Sequence, residues 1–236
     1  MVNIETFLAD ARRRSVNSDR PEVTLSYAQS LDGCLSIERG WQTRLSGPES
    51  MQITHRLRAA HQAILVGIGT VLADDPKLTV RLAVGKNPQP VVIDTRLRIP
   101  DSCNLLSRSE GLPWVVFDGK ADPARQVELA RKGVKLIACE TDADGRINLR
   151  IAMNKLRQDG IASLMVEGGA GMITSFLADR LADLAAITIC PVWIGGLSSV
   201  ERNLAQRNCW PALENVVTEK AGEDMLVFGQ VKERPL

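Results

Sequence analysis

Short apolar runs that end in glycine or a polar turn alternate with helical stripes through most of this chain. The runs at 62–66, 90–94, 114–117, 134–139, 162–166 and 184–190 have the length of buried strands, and 225–231 adds a late one. Residues 23–30 alternate apolar and polar positions, which also predicts a strand. Ile53, Leu57 and Ala60 form one helical stripe, Leu149, Ala152, Met153 and Leu156 a second, and Ile173, Phe176 and Leu177 a third. Ser46 and Glu49 have the spacing of a capping box ahead of the first of these helices. Asp122 and Pro123 read as the cap and first-turn proline of a further helix, which Gly133 ends. Residues 4–14 predict a short amphipathic helix with Ile4, Phe7, Leu8 and Ala11 on one stripe and Arg12, Arg13 and Arg14 at its end; residues 17–21 read as a linker. Residues 195–223 carry no clear period and read as a long loop region. Strand and helix patterns in alternation predict an α/β fold with a mostly parallel central sheet flanked by helices. Residues 1–20 are expected to form an N-terminal helical extension and residues 21–236 one domain.

Composition narrows the function. The 236 residues suffice for a sizeable core, and the formal net charge is only +1. Basic residues are not clustered with aromatics, and aromatics make up 4%, so a nucleic-acid surface is not expected. No apolar run is long enough to span a bilayer. Glu5 and Asp10 interrupt the apolar part of the N-terminus, which does not read as a secretory leader. Five cysteines without a CxxC pair fit free thiols in a reducing compartment, and a cytoplasmic protein is expected. With no HExxH and no metal-spaced Cys/His cluster, no metal is expected.

Two glycine clusters carry the candidate chemistry. The apolar run 63–66 ends in Gly67-Ile68-Gly69-Thr70, a place where a ligand can approach the backbone closely. Asp74 and Asp75 follow in a short polar turn before Pro76, and a second alternating run closes on Arg81. The second cluster, Glu167-Gly168-Gly169-Ala170-Gly171, lies between a strand and a helix, where backbone N–H groups and the helix dipole favour an anion such as a pyrophosphate. A tight turn that simply needs glycine explains it equally well. Met172 breaks the GxGxxG fingerprint, so a Rossmann-type site is not predicted. Thr95, Arg96 and Arg98 follow the 90–94 run and would suit a 2′-phosphate, although taken alone they read as a solvated basic turn. Asp32-Gly33 reads as a turn. Glu167 ends a buried run beside the anion pocket, which marks it as a site candidate.

The segments YAQSLDG (27–33), LRAAHQAILVGIGTVLADDPKLTVR (57–81), PVVIDTRLRIP (90–100), LMVEGGAGM (164–172) and ICPVWIGG (189–196) resemble the reductase family of riboflavin biosynthesis, in order and spacing. That resemblance implies a dihydrofolate reductase-like fold, NADPH as cofactor, and a ribosylaminopyrimidine 5′-phosphate reduced to its ribityl form. It implies cofactor contacts at Ala28, Arg44, Thr70, Asp74 and Thr95 and along the turn Gly169, Ala170, Gly171, Met172, Ile173 and Thr174; the glycine clusters and the basic turn add Gly67, Gly69, Gly168 and Arg96 as expected cofactor contacts. It implies substrate contacts at Gln42, Arg58, Leu78, Arg81 and Glu167. Glu167 and Asp74 are the expected catalytic pair, Glu167 orienting substrate and Asp74 the cofactor. Where members carry Ser, Gln42 or Thr43 stands here. A homodimer is implied too. The zinc signature of the family's deaminase half is missing from these residues, so deamination is expected of another protein. Two other readings compete: a dihydrofolate reductase-like enzyme acting on a pterin or another imine, and a non-catalytic NADP-binding subunit of the same pathway.

Overall fold

A computed structural model describes residues 6–9, 18–108, 111–201, 204 and 209–235. In chain order the elements are β1 (Glu22–Ser30), β2 (Cys34–Ser36), α1 (Pro48–Ala60), β3 (Ala63–Gly67), α2 (Ile68–Asp74), β4 (Gln89–Ile93) and β5 (Trp114–Asp118). They continue with α3 (Pro123–Arg131), β6 (Lys135–Cys139), α4 (Leu149–Gln158), β7 (Ser163–Val166), α5 (Ala170–Ala178), β8 (Leu184–Cys190), β9 (Leu197–Ser198), β10 (Cys209–Ala221) and β11 (Asp224–Pro235).

Nine strands form one sheet in the order β10-β11-β8-β1-β7-β3-β4-β5-β6. From β8 through β6 every neighbouring pair is parallel. β11 runs antiparallel to β8, and β10 antiparallel to β11. This is the expected α/β class with a mostly parallel sheet. The parallel strands read as unbroken apolar runs because both of their faces are covered. Ala63 and Leu65 pack on one side with Met153, Leu156, Ile173 and Phe176 of α4 and α5. Ile64 and Val66 pack on the other with Val71 of α2 and Leu129 of α3. Ile53 and Leu57 of α1 join that second side over Met165, Leu184 and Phe228.

Helix starts and stops follow local chemistry in most places. Asp122 caps α3 by accepting from the Ala124 N–H, and Asn148 caps α4 by accepting from Ile151. Gly133 ends α3 with φ +85°, a value that favours glycine. α1 departs from the expected capping box. Its cap is Gly47, with no side-chain bond of its own, and Pro48 opens the first turn. Asp224 of β11 does the capping from a distance: its Oδ2 accepts from the Gly47 N–H at 2.8 Å and from the Ser50 hydroxyl at 2.5 Å.

Three further expectations are corrected. Residues 195–223 are not one long loop, since they contain β9 and the whole of β10. β10 lies at the sheet edge and carries Pro211 with polar residues on both faces, so it lacks the alternation that marks a half-buried strand. The run closing on Arg81 is not a strand, because Leu78 takes φ +49° and turns inward, 2% exposed. Residues 17–21 are no loose linker at their described end: Arg20 binds both oxygens of Asp183 at 2.7 Å. Of the N-terminal helix only residues 6–9 are described. There Leu8 is fully buried, and Phe7 meets Phe228 edge-on with ring centroids 5.2 Å apart. Ile4, Ala11 and the three arginines lie outside the described residues.

The connections set up a crevice. From β3 the chain passes through α2 to β4 on one side; from β7, beside β3, it passes through α5 to β8 on the other. Adjacent parallel strands whose exits diverge leave a cleft at their carboxyl ends, where α/β proteins receive ligands. Asp32 braces the rim of that edge beyond β1. Its carboxylate accepts from the Ser30 hydroxyl and from the Ile194 and Gly195 N–H groups, at 2.5, 3.2 and 2.7 Å.

Phe176 is fully buried beneath the sheet, so F176A is expected to cost roughly 3–5 kcal/mol. Urea unfolding should show a lower midpoint with unchanged slope. The Ser30 hydroxyl first, and the Gly195 N–H next, hold the Asp32 carboxyl down to about 2. Between about pH 4 and pH 2 the unfolded chain therefore binds a proton that the folded chain does not, and stability falls as pH falls. D32N should flatten that stretch of a midpoint-against-pH curve.

Candidate active site

The two glycine turns meet at the crevice. The Glu167 N–H donates to the Leu65 carbonyl at 3.0 Å, tying the end of β7 to β3. A Cβ on Gly168 would lie 2.5 Å from Met172 Cβ and 2.9 Å from its Cγ, and one on Gly67 would lie 3.3 Å from Met172 Cε. Glycine at 67 and 168 thus lets α5 close down on both strand ends. Gly69 and Gly169 differ: a Cβ there would meet no atom within 4 Å. Both positions open onto free space.

α5 begins at Gly169 without a side-chain cap. The Met172 and Ile173 N–H groups return to the Gly169 carbonyl, at 2.9 and 3.1 Å. The first-turn N–H groups of Ala170 and Gly171 are the ones helix geometry leaves over, at the positive end of the dipole. That end of a helix favours an anion. Ile173 and Thr174 face elsewhere. Ile173 is 1% exposed in the core, and the Thr174 hydroxyl accepts from the Glu201 N–H at 2.8 Å.

Beside the turn, Glu167 is gripped by Arg58 of α1. Arg58 Nε donates to Oε1 at 2.6 Å and Nη2 to Oε2 at 2.7 Å, a fork-to-fork pair. The two side chains are 10% and 18% exposed. Burial works against the charged guanidinium, but the attraction and hydrogen bonds of Glu167 outweigh it and raise the Arg58 pKa. Arg58 Nη1 also donates to the Thr79 carbonyl at 3.1 Å, and Arg81 Nη1 donates to the Thr79 hydroxyl at 2.8 Å. The Arg81 N–H donates to Nδ1 of His55, which is fully buried on α1 one turn before Arg58. One network thus joins α1, the 79–81 segment and the end of β7.

The adjacent carboxylates part company. Asp75 caps α2 at φ +40°, and Asn104 binds both its carboxylate and its carbonyl. Asp74 is half-buried at the last position of α2, and burial raises its pKa. Thr95, half-buried, and Arg96, exposed, sit on the turn after β4. Buried Asp94 shapes that turn: its Oδ2 accepts from the Ile99 N–H at 2.8 Å, and its carbonyl accepts from Leu97 at 3.1 Å. Ala28 is half-buried on β1, opposite Thr188. Thr70 is half-buried on α2.

The network therefore collects Arg58, Glu167 and Arg81 with the turn at 168–171. Leu78 stands next to it but packs inward. Gln42 and Arg44 are exposed on the stretch between β2 and α1, and among the described residues no hydrogen bond or ion pair ties them to it. Sequence reasoning passed over His55, Thr79 and Asp94. His55 had a usable signal, since a residue three before Arg58 shares its helix face.

Fold and crevice together define an α/β protein with a cleft at a topological switch point, beside a helix start that no side chain caps. The model of the RibD C-terminal domain matches residues 21–227, and the chain belongs to that family. It is 37% identical over 190 residues to the 2,5-diamino-6-ribosylamino-4(3H)-pyrimidinone 5′-phosphate reductase of Archaeoglobus fulgidus, covering 76% of this chain and 84% of that one. It is 32% identical over 244 residues to the riboflavin biosynthesis protein RibD of Aquifex aeolicus, covering 96% of this chain but 65% of that longer protein. Among solved structures, the Saccharomyces cerevisiae riboflavin biosynthesis reductase Rib7 aligns with a TM-score of 0.76 at 28% identity, over 98% of this chain and all of that one.

R58A leaves the Glu167 carboxylate enclosed without its partner, so it should cost about 3 kcal/mol in urea unfolding. R58K should recover little of this, because a lysine ammonium cannot reproduce the fork.

Proposed function

We propose that this chain reduces a ribosylaminopyrimidine 5′-phosphate to the ribitylaminopyrimidine 5′-phosphate, with NADPH as the donor. The observation that carries the reading is the Arg58–Glu167–Thr79–Arg81 network standing beside an open, uncapped helix start. The residues suit the cofactor. Free space at Gly69 and Gly169 leaves room for a pyrophosphate against the backbone, and Ala170 and Gly171 have N–H groups to meet it. Thr95 and Arg96 on their braced turn suit the 2′-phosphate that separates NADPH from NADH.

When bound, NADPH supplies a hydride from nicotinamide C4. The chain's own work is placement. Arg81 reaches the sugar phosphate with a guanidinium, a group matched to phosphate oxygens. Glu167, its two oxygens fixed by Arg58, uses its remaining lone pairs to orient the sugar. Asp74 orients the nicotinamide end. The ring-opened sugar presents a C=N bond; its C1 takes the hydride and its nitrogen a proton. The glycine turns and α5 keep water from that carbon.

Relatives named as phosphate reductases in an archaeon and in yeasts support the reaction class. The reading includes residues 21–236 as the reductase unit, cytoplasmic residence and a homodimer. Buried free Cys34, Cys103, Cys139 and Cys190 support a reducing compartment. Exposed Trp210, Val216 and Val217 on the edge strand β10 support pairing of two copies.

Incubation with NADPH and the diamino or the deaminated ribosylaminopyrimidine phosphate should yield, by mass spectrometry, a product two hydrogens heavier. NADH should support a lower rate. A folded sample giving no product with either substrate would refute the assignment.

A further inference from the structure

We propose that His55 is a positioning residue that fixes Arg81 for the substrate phosphate. The inference rests on the proposed reaction, in which Arg81 meets that phosphate.

His55 is fully buried, yet it touches the crevice network at one atom: Nδ1 accepts from the Arg81 backbone N–H at 2.9 Å. An accepting Nδ1 carries no proton, so the neutral ring holds its proton on Nε2. Nε2 is buried and has no hydrogen-bond partner among the described residues. A leucine would fill similar space without that unpaired donor, so packing alone does not account for an imidazole here. What the imidazole supplies, and leucine cannot, is an acceptor aimed at the Arg81 backbone.

That acceptor matters because the segment has little else to hold it. Residues 79–81 belong to no strand or helix. Leu78 anchors one end in the core at φ +49°, and the Val80 N–H reaches Asn87 Oδ1 at 2.8 Å. The remaining ties come from α1, through Arg58 to the Thr79 carbonyl and His55 to the Arg81 N–H. Two side chains one turn apart thus hang the segment from a helix, and the first of them also holds Glu167. The charged groups around His55 keep the acceptor free: burial, then Arg58 and Arg81, lower its pKa, against the weaker opposing pull of Glu167.

The test compares H55A, H55Q and H55N. The Asn side-chain oxygen falls near the position of Nδ1, whereas Gln places its amide nearer Nε2. H55A and H55Q should raise KM for the phosphorylated pyrimidine riboside about tenfold, the scale of one lost orienting bond, with kcat and the KM for NADPH within about twofold. H55N should recover most of the loss, and KM for the dephosphorylated riboside should not move in any variant. An unchanged KM in folded H55A, an H55N no better than H55Q, or an equal penalty on the dephosphorylated compound would overturn the role. A wild-type protein that turns over neither substrate would instead sink the proposed reaction. The role of His55 is then decided by nitrogen-15 NMR and amide exchange. The proton on Nε2 and a protected Arg81 amide that H55A exposes would support it; a proton on Nδ1, or an Arg81 amide indifferent to H55A, would overturn it.

Discussion

The paired Arg58 and Glu167 side chains are the constraint on which the crevice depends. A carboxylate at the end of a buried strand is costly unless something meets it, and here a guanidinium meets both its oxygens. Such a pair is weak evidence for stability, because desolvation offsets much of the attraction. Its value lies in geometry. Arg58 arrives from α1, Glu167 from the end of β7, and the third donor direction of Arg58 reaches Thr79. Three parts of the chain, remote in sequence, are fixed to one planar group. One of them, the end of β7, borders the cleft between β3 and β7.

The sheet determines where that cleft opens. β3 and β7 are neighbours whose following helices leave in opposite directions. Each exit needs a glycine for a close approach, and each has a second glycine with nothing over it. The tight pair, Gly67 and Gly168, brings α5 against the strand ends through Met172. The open pair, Gly69 and Gly169, leaves the backbone reachable. Each glycine cluster thus combines a position that close packing requires with one whose backbone is reachable, so a tight turn alone does not account for it.

Much of this was legible in the sequence, and the gaps have physical causes. Parallel strands covered on both faces announce themselves as apolar runs, so β3, β4, β5, β7 and β8 were readable to within a residue or two. β10 was not, because an edge strand facing solvent has no pattern to show, and Pro211 argues against a strand anywhere but an edge. The cap of α1 was not readable because the acceptor that serves it, Asp224, lies far along the chain. At the site, Arg58, Arg81 and Glu167 were readable through the family resemblance, but their bonding to one another was not. Nor could sequence tell that Leu78 points into the core, since an apolar residue beside a site suits either place; for Ile173 the helical stripe with Phe176 points inward while the resemblance points to the cofactor.

The two arginines show why residue type alone underdetermines a site. Both stand in the segment 57–81, and both suit a phosphate. Arg58 is 8% exposed and commits donors to Glu167 and to a backbone carbonyl. Arg81 is exposed and, among the described residues, has one side-chain bond, to a hydroxyl on its own segment. A guanidinium already desolvated and paired gains little from a second anion, while one held only by its backbone and a neighbouring threonine keeps its fork for an incoming ligand. Burial and bonding thus commit Arg58 to holding the carboxylate, and leave most of the Arg81 guanidinium facing solvent. The same criterion separates Asp74 from Asp75. Asn104 occupies the second, and the first is half-buried with a pKa raised by burial. In each pair one member is committed to the structure through several side-chain bonds, and the other is held by fewer among the described residues.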